Sequence, residues 1–466
     1  MSDFSKSLSD AVPKSFWLDS PDRPIPSPPL ATDTSCDLAV VGGGYTGLWT
    51  ALLAKELDPT RDVVLIEARS VGWAASGRNG GFCAASLTHG ISNATERFPD
   101  ELAVLDRLGR ANLDAIEKTV ARYGIDCGFE RTGEMDVATG AHQVAWLRDD
   151  AQAGRELGHD TVFLDRDEVR AEVDSPTYLA GSWHRDQAAL VDPARLAWGL
   201  REACIKLGVR LFENTEANSL EKHGAGVRIK CVSGGSLRAR RVALGTNAFP
   251  ALLRRLRPFT VPVYDYVLMT EPLSAAQHES IGWRNRQGIG DSANQFHYYR
   301  LTQDNRILWG GYDAIYHWGN GLHDHLDQRP ETFELLARQF FDTFPQLEGL
   351  RFSHKWGGAI DTCTRFFAFQ GTALEGRVAY SLGYTGLGVA ATRFGAQVML
   401  DLLDGIDSEA LSLRAVRSRP LPFPPEPVRF AGIQLTRRAL AKADRNAGRR
   451  GPWLRTLDRL GLGFDS

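Results

Sequence analysis

The stretch from residue 36 to residue 81 limits the fold of this chain more than any other. Gly42, Gly44 and Gly47 stand at G-x-G-x-x-G spacing directly behind the apolar run 38–41, and a helical pattern then continues to Leu57, where Asp58-Pro59 stops it. This order reads as a nucleotide-binding βαβ unit. Gly42 permits the tight turn, Gly44 lets the backbone approach a pyrophosphate, and Gly47 lets helix and strand pack closely. The phosphates then meet the free N–H groups and positive dipole end of the helix. The next strand, residues 63–66, ends at Glu67, about 20 residues past the last glycine, where a carboxylate accepts both hydroxyls of a ribose. Tyr45 and Thr46 in the turn, and Ala68 and Arg69 beyond the acid, complete the binding residues expected of this unit.

Three later segments point to the same site. Residues 72–81 form a glycine-rich loop, and Ala75, Ser76, Gly77, Arg78, Asn79, Gly80 and Gly81 can wrap a planar ligand with backbone amides. A strand at 241–244 leads into Gly245, Thr246 and Asn247. A buried-type strand at 378–382 delivers the second glycine motif, Gly383-Tyr-Thr385-Gly386-Leu387-Gly388, followed by a helix to about residue 403.

Between these segments the pattern changes. Residues 101–123 and 142–157 have helical periodicity, 127–137 read as strand, turn and strand, and Asp192-Pro193 opens a helix that Gly208 ends. Residues 259–312 are alternating, aromatic-rich strands of antiparallel type, followed by a helix at 331–344 and a strand region from 352. The expected fold class is α/β: a Rossmann-like, doubly wound nucleotide domain with an inserted antiparallel-sheet substrate domain. The nucleotide domain is assigned to 36–95, 185–258 and 365–410, and the substrate domain to 96–184 and 259–364. Residues 1–35 read as a surface arm whose Phe16-Trp17 docks on the body, and 411–466 as a Pro-rich linker and basic tail.

With 466 residues, 43% hydrophobic content and a net charge of −3, nothing in the balance points to nucleic acid or a membrane surface. The N-terminus lacks a signal-peptide pattern and no stretch has the apolar length of a membrane span, so a cytoplasmic location is expected. The six cysteines show no metal-ligand spacing and read as reduced thiols. His317, His323 and His325 lack a carboxylate or cysteine at firm spacing, so no metal site is expected. The basic tail carries Ile433, Leu435, Leu440 and Trp453, an apolar set suited to packing on the same chain or on a sister subunit of a homo-oligomer.

The first βαβ unit with Glu67, the Ala75–Gly81 loop and the late glycine motif together resemble the D-amino-acid-oxidase family of FAD-dependent amine oxidoreductases. Within that family the resemblance is strongest to γ-glutamylputrescine oxidoreductase-like and aminophosphonate oxidoreductase-like members. It covers about residues 36–405 and implies FAD lying extended through the nucleotide domain, its flavin against the antiparallel sheet. The late motif then faces the flavin's pyrimidine end, where a helix N-terminus stabilises the charge that hydride arrival creates. Some relatives attach FAD to a cysteine; the register here places Gly357 or Gly358 at that position, which implies non-covalent FAD.

The implied reaction is hydride transfer to the flavin from the carbon beside the nitrogen of a small amine, amino acid or aminophosphonate, giving an imine that hydrolyses, with O2 or another acceptor taking the electrons. Tyr266, Tyr299, Arg300 and Trp356 are the candidate catalytic residues; Tyr264 should share the face of Tyr266, and Arg300 could grip a substrate anion. Lys355 is a candidate cation for oxygen activation, although alternation sets it opposite Trp356. A flavin monooxygenase and a non-catalytic flavin-binding redox protein are the competing readings.

Overall fold

The computed structural model describes residues 5–249 and 251–462. Thr34–Val41 and Val63–Ile66 lie side by side in parallel, and their continuous apolar runs are buried on both faces, as parallel strands under helices require. Across the sheet the order is Phe369–Ala373, Val378–Leu382, Ser236–Leu244, Thr34–Val41, Val63–Ile66 and Arg210–Phe212. Tyr45–Leu57, Pro193–Lys206 and Gly388–Asp404 cover one face around a core that includes Leu48, Leu52, Leu65, Leu196 and Met399. Asp192 caps the second of these helices, accepting from Arg195 N at 2.9 Å with Pro193 in the first turn.

Two expectations are corrected here. The strand foreseen at 241–244 begins at Ser236, because the hairpin Ala217–His223 and Gly226–Cys231 pairs with its first half. That hairpin was hidden by the polar alternation of Glu221 and Lys222. The segment 127–137 holds one strand, Glu134–Ala138; the backbone at Gly128 and Gly133 turns left-handed, with φ of 57° and 74°, and only Glu130 bridges to Leu190.

A second sheet runs Ile315–Tyr316, Val261–Thr270, Ile307–Gly311, His297–Leu301, Gly288–Asp291, Glu134–Ala138, Ala180–His184 and Thr161–Leu164, with Phe352–Thr362 on the other side of Val261–Thr270. Gly288–Asp291 meets Glu134–Ala138 in parallel, so the sheet is mixed rather than purely antiparallel. The helix Pro330–Thr343 buries Phe333, Leu336 and Phe340 on one face of this sheet, against Tyr266, Tyr299 and Trp309. The opposite face looks towards the glycine turns of the first sheet.

Parts of the N-terminal arm are ordered on the body. Val12 bridges to His354, Trp17 is 4% exposed, and Ser15 Oγ donates to Gly77 O at 2.8 Å. In the tail, Val428–Arg445 and Pro452–Arg459 are helices. No helix among the described residues is long and apolar enough to cross a membrane.

Candidate active site

A cavity of about 1690 Å³ runs from the first glycine turn to the second sheet. At one end of it, Gly42 and Gly47 form the tight turn and close packing that their spacing predicts. A Cβ on Gly47 would fall 1.8 Å from Gly42 O, and Gly42 itself has a φ of 108°. The helix behind them starts at Tyr45 with no side-chain cap, and Tyr45 N donates to Ser76 Oγ at 3.0 Å. Glu67 is buried, and its carboxylate accepts from Gly43 N at 2.6 Å, Arg69 N at 2.9 Å and Trp73 Nε1 at 2.8 Å. Burial pushes its pKa up against these donors. Three donors leave one of roughly four lone-pair sites on the carboxylate open to a ligand.

The loop that follows is held from several sides. Arg78 ion-pairs with Asp327, donates to Gly357 O at 3.1 Å and, through Nε, to Trp73 O at 2.9 Å. The indole N–H groups of Trp17 and Trp356 donate to Asn79 O and Arg78 O at 2.9 and 2.8 Å. Asn79 closes the loop on itself, donating to Ala75 O and accepting from Gly81 N, both at 2.8 Å.

At the late motif, Gly383, Thr385 and Gly386 have φ of 77°, 51° and 98°, and the helix Gly388–Asp404 starts without a side-chain cap. Asp361 anchors this turn by accepting from Gly383 N at 2.6 Å. Burial pushes its pKa up to about 7, against backbone hydrogen bonds from the same turn. His89, itself left-handed at φ 56°, donates from Nε2 to Thr385 O at 2.5 Å, which places the ring proton on Nε2. Sequence reading missed His89 and Asp361, whose contacts with residues 296 and 22 positions away carry no local signal.

Of the residues expected to bind the cofactor, Gly42, Gly44, Tyr45, Thr46, Glu67, Ala68, Ala75, Ser76, Arg78, Asn79, Gly80, Thr246, Asn247, Thr385, Gly386, Leu387 and Gly388 line one cavity. Gly47, Arg69, Gly77, Gly81 and Gly383 do not line it, and Arg69 is exposed and ion-paired with Asp324. A Cβ on Gly77 would meet Gly72 O at 2.3 Å and one on Gly81 would meet Val191 O at 2.1 Å, so those two glycines serve chain packing.

The four residues expected to be catalytic do not line this cavity. Tyr266 and Tyr299 lie on the opposite sheet face, where Tyr266 stands edge-on to Phe333 and Tyr299 hydrogen-bonds Tyr178 at 2.6 Å. Tyr264 stacks beside Tyr266 as alternation requires, yet it reaches the cavity edge. Arg300 is buried beneath the glycine loop with Nη1 donating to Val191 O at 2.7 Å, and burial holds its guanidinium down to about 10. Trp356 has the right face, but Trp17 packs over it. Lys355 points to the N-terminal arm, donating to Leu8 O at 3.4 Å.

The residues facing the cavity have the other parity. Val263, Asp265 and Val267 line it from one strand and Tyr298 from another, and the Tyr298 hydroxyl donates to the Asp265 carboxylate. Burial pushes the Asp265 pKa up to about 6, even against the Tyr298 hydrogen bond.

Further along, the cavity wall carries Glu134, Asp136, Asp150, His184 and Asp291. Glu134 and Asp136 are two apart on one strand and face Gly290, where an added Cβ would lie 3.2 Å from Asp136 Oδ1 and 4.0 Å from Glu134 Oε1. Asp150 bonds His184 at 2.7 Å and Asp291 bonds His297 at 2.6 Å. Among the described residues, no Lys or Arg ion-pairs with any of these four carboxylates, and Glu134 and Asp136 accept no hydrogen bond at their carboxylates. Burial pushes the Asp136 pKa up to about 8, with the like charge of Glu134 adding to it, and burial raises Glu134 too. Burial is the largest influence on His184 and opposes its charging, but the bond to Asp150 and the negative charges of Asp150, Asp136 and Glu134 together outweigh it and leave the pKa raised.

The sequence profile of the family described as FAD dependent oxidoreductase (DAO) matches residues 37–402. The chain belongs to this family. It is 31% identical over 401 residues to γ-glutamylputrescine oxidoreductase of Escherichia coli, spanning 84% of this chain and 89% of that protein. It is 22% identical over 337 residues to sarcosine oxidase subunit beta of Rhodobacter capsulatus, spanning 70% and 74%. Among solved structures, iminodiacetate oxidase from Chelativorans is similar with a TM-score of 0.67 at 16% identity, covering 82% of this chain and 98% of that one. Glycine oxidase from Geobacillus kaustophilus has a TM-score of 0.66 at 20% identity, covering 81% and 96%.

As an FAD-dependent oxidoreductase the chain requires a site for the dinucleotide, and the residues present fit one. The uncapped helix at Tyr45 offers N–H groups to a pyrophosphate, Glu67 keeps acceptor capacity for ribose hydroxyls, and the uncapped helix at Gly388 offers positive potential to an electron-rich ring edge. The cavity exceeds the 300–1,000 Å³ of roughly drug-sized sites, leaving room for a second small molecule.

Proposed function

We propose that this oxidoreductase removes hydride from the carbon next to the nitrogen of a small amine, and that the amine carries a second cationic group held by Glu134 and Asp136. When bound, FAD would supply the hydride acceptor, and O2 or another acceptor would take up the two electrons. The amine nitrogen's lone pair becomes the second bond of a protonated imine, which water hydrolyses to a carbonyl compound and the released ammonium species. The acidic wall is the observation that carries the substrate reading. Two unpaired carboxylates facing a cavity are costly unless a cation joins them or they stay protonated, so a ligand ammonium gains both charge and hydrogen-bond partners there. The E. coli relative, named for an amine substrate, agrees with this chemistry.

FAD binding is proposed to be non-covalent. Cys363 is the cysteine at the cavity wall, and its Sγ is engaged with Phe367 O and Gly383 O at 3.2 and 3.4 Å. The remaining chain residues act by position: Asp361 and His89 fix the late turn, Tyr298 and Asp265 fix the sheet face, and the tryptophans hold the loop of Arg78 and Asn79.

Anaerobic mixing of the yellow protein with monoamines, diamines, amino acids and aminophosphonates tests the proposal. Diamines should bleach the flavin at lower concentration than monoamines of equal length, and Asp136→Asn should remove that advantage. Bleaching by none of the amines would sink the enzyme reading, and a burst of NADPH consumption on adding substrate would favour a monooxygenase. A second reading is favoured by one distance: ligand atoms of Asp136, Asp150 and His184 lie within 4.8 Å of one another, which suits a divalent cation. A chelator that weakens diamine oxidation would support that reading.

A further inference from the structure

The family match stops at residue 402, but the chain's contribution to the cavity does not. Ile433, Thr436, Arg437 and Leu440 of the helix Val428–Arg445 line it, as do Trp453 and Leu457 of the helix Pro452–Arg459. Positions 433, 436, 437 and 440 recur at three and four residues, so they share one helix face. That face is not packed into the protein core. Ala443 is the one buried residue of the first helix and Leu454 that of the second, whereas Ile433, Leu440, Trp453 and Leu457 remain half-buried.

The helix pair is nonetheless fastened in place. The Asp444 carboxylate accepts from Asn294 N, Asn294 Nδ2 and Gln295 N at 2.9, 2.6 and 3.0 Å. Arg437 bonds Asp313 at 2.8 Å, Glu426 accepts from the Tyr316 hydroxyl at 2.6 Å, and Trp453 Nε1 donates to Thr436 Oγ1 at 3.0 Å. The Asp444 anchor lies one helical turn past Leu440, and its partner Asn294 is three residues past Asp291. An apolar wall is thereby brought beside the acidic one.

We infer that this C-terminal helix pair is the substrate-selecting wall of the oxidoreductase, with Ile433, Leu440 and Trp453 covering the aliphatic chain of the amine. An amphipathic helix whose apolar stripe is held rigidly against a cavity, rather than buried in a core, gains its missing burial when an apolar ligand segment arrives. The inference rests on the amine reading, but it concerns the methylene chain and not the distal charge, so the two separate experimentally.

The test uses a series of linear primary monoamines, which lack the second cation, with dissociation constants read from the perturbation of the bound flavin spectrum and kcat/KM measured in parallel. In the wild type each methylene that reaches the wall should tighten binding about fourfold. In the Ile433→Ala/Leu440→Ala variant, checked for full FAD content, the dependence on chain length should flatten, and Leu440→Met should keep it. An equal dependence in wild type and variant, or none in the wild type, overturns the inference. Flattening for monoamines together with diamine binding indifferent to Asp136→Asn would uphold the wall and discard the acidic-site reading.

Discussion

The indole N–H of Trp356 donates to the backbone carbonyl of Arg78 at 2.8 Å, which ties the long strand Phe352–Thr362 of the second sheet to the glycine-rich loop that lines the cavity. Trp356 therefore positions the loop from behind. Replacing it with Phe keeps most of the packing but leaves a buried carbonyl without its donor, a loss of about 1–3 kcal/mol. Trp356→Phe should lower the melting temperature and loosen FAD, while its effect on substrate KM at saturating FAD stays small. Unaltered FAD affinity and thermal stability would show that the bond holds nothing in place.

Glu67 gathers three N–H donors from Gly43, Arg69 and Trp73. Glu67→Gln removes the charge from all three and presents an NH2 group to at least one of them. With hydrogen bonds to charged groups contributing about 1.5–3 kcal/mol, FAD affinity should fall by about tenfold or more. Fluorescence of released FAD on dilution measures it, and a change of less than twofold would remove Glu67 from the cofactor site.

The raised pKa of Asp136, about 8, has a signed consequence for stability. A carboxyl raised above its unfolded value binds more protons folded than unfolded, so its stabilisation is complete below the unfolded pKa and is lost as pH rises from about 4 through about 8. Stability of the ligand-free protein should decline over that window, and Asp136→Asn should flatten the decline. Ligand binding has the opposite sign, because a bound ammonium needs the ionised carboxylate. Diamine binding should tighten as pH rises through about 8 and release a proton, measurable by calorimetry in buffers of different ionisation enthalpy.

Lys355 sends its ammonium group to Leu8 O in the N-terminal arm, on the sheet face away from the cavity. Lys355→Met should leave both anaerobic flavin reduction and reoxidation by oxygen at wild-type rates in stopped-flow measurement. A reoxidation slowed tenfold with reduction intact would return the lysine to the oxygen reaction.

Much of the glycine-lined end of the cavity was legible because its determinants are local. A strand, a tight glycine turn and a helix start are contiguous in sequence, so the spacing of Gly42, Gly44 and Gly47 and the distance to Glu67 carry the geometry almost directly. The substrate end was not legible in the same way. Adjacent residues on a strand point to opposite faces, and choosing Tyr299 over Tyr298, or Tyr266 over Asp265, requires knowing which face the helix Pro330–Thr343 covers.

By itself, the sequence determined an α/β fold of the dinucleotide-binding type with two glycine turns, since glycine spacing, apolar runs and an acid at strand end act through neighbouring backbone. Only the tertiary structure decided which face of the second sheet meets the cavity, that Glu134 and Asp136 stand beside Asp150 and Asp291, and that the C-terminal helices line the same space. Those are encounters between segments tens to hundreds of residues apart. They are selected by burial over the whole fold, and no local periodicity encodes which buried surfaces meet.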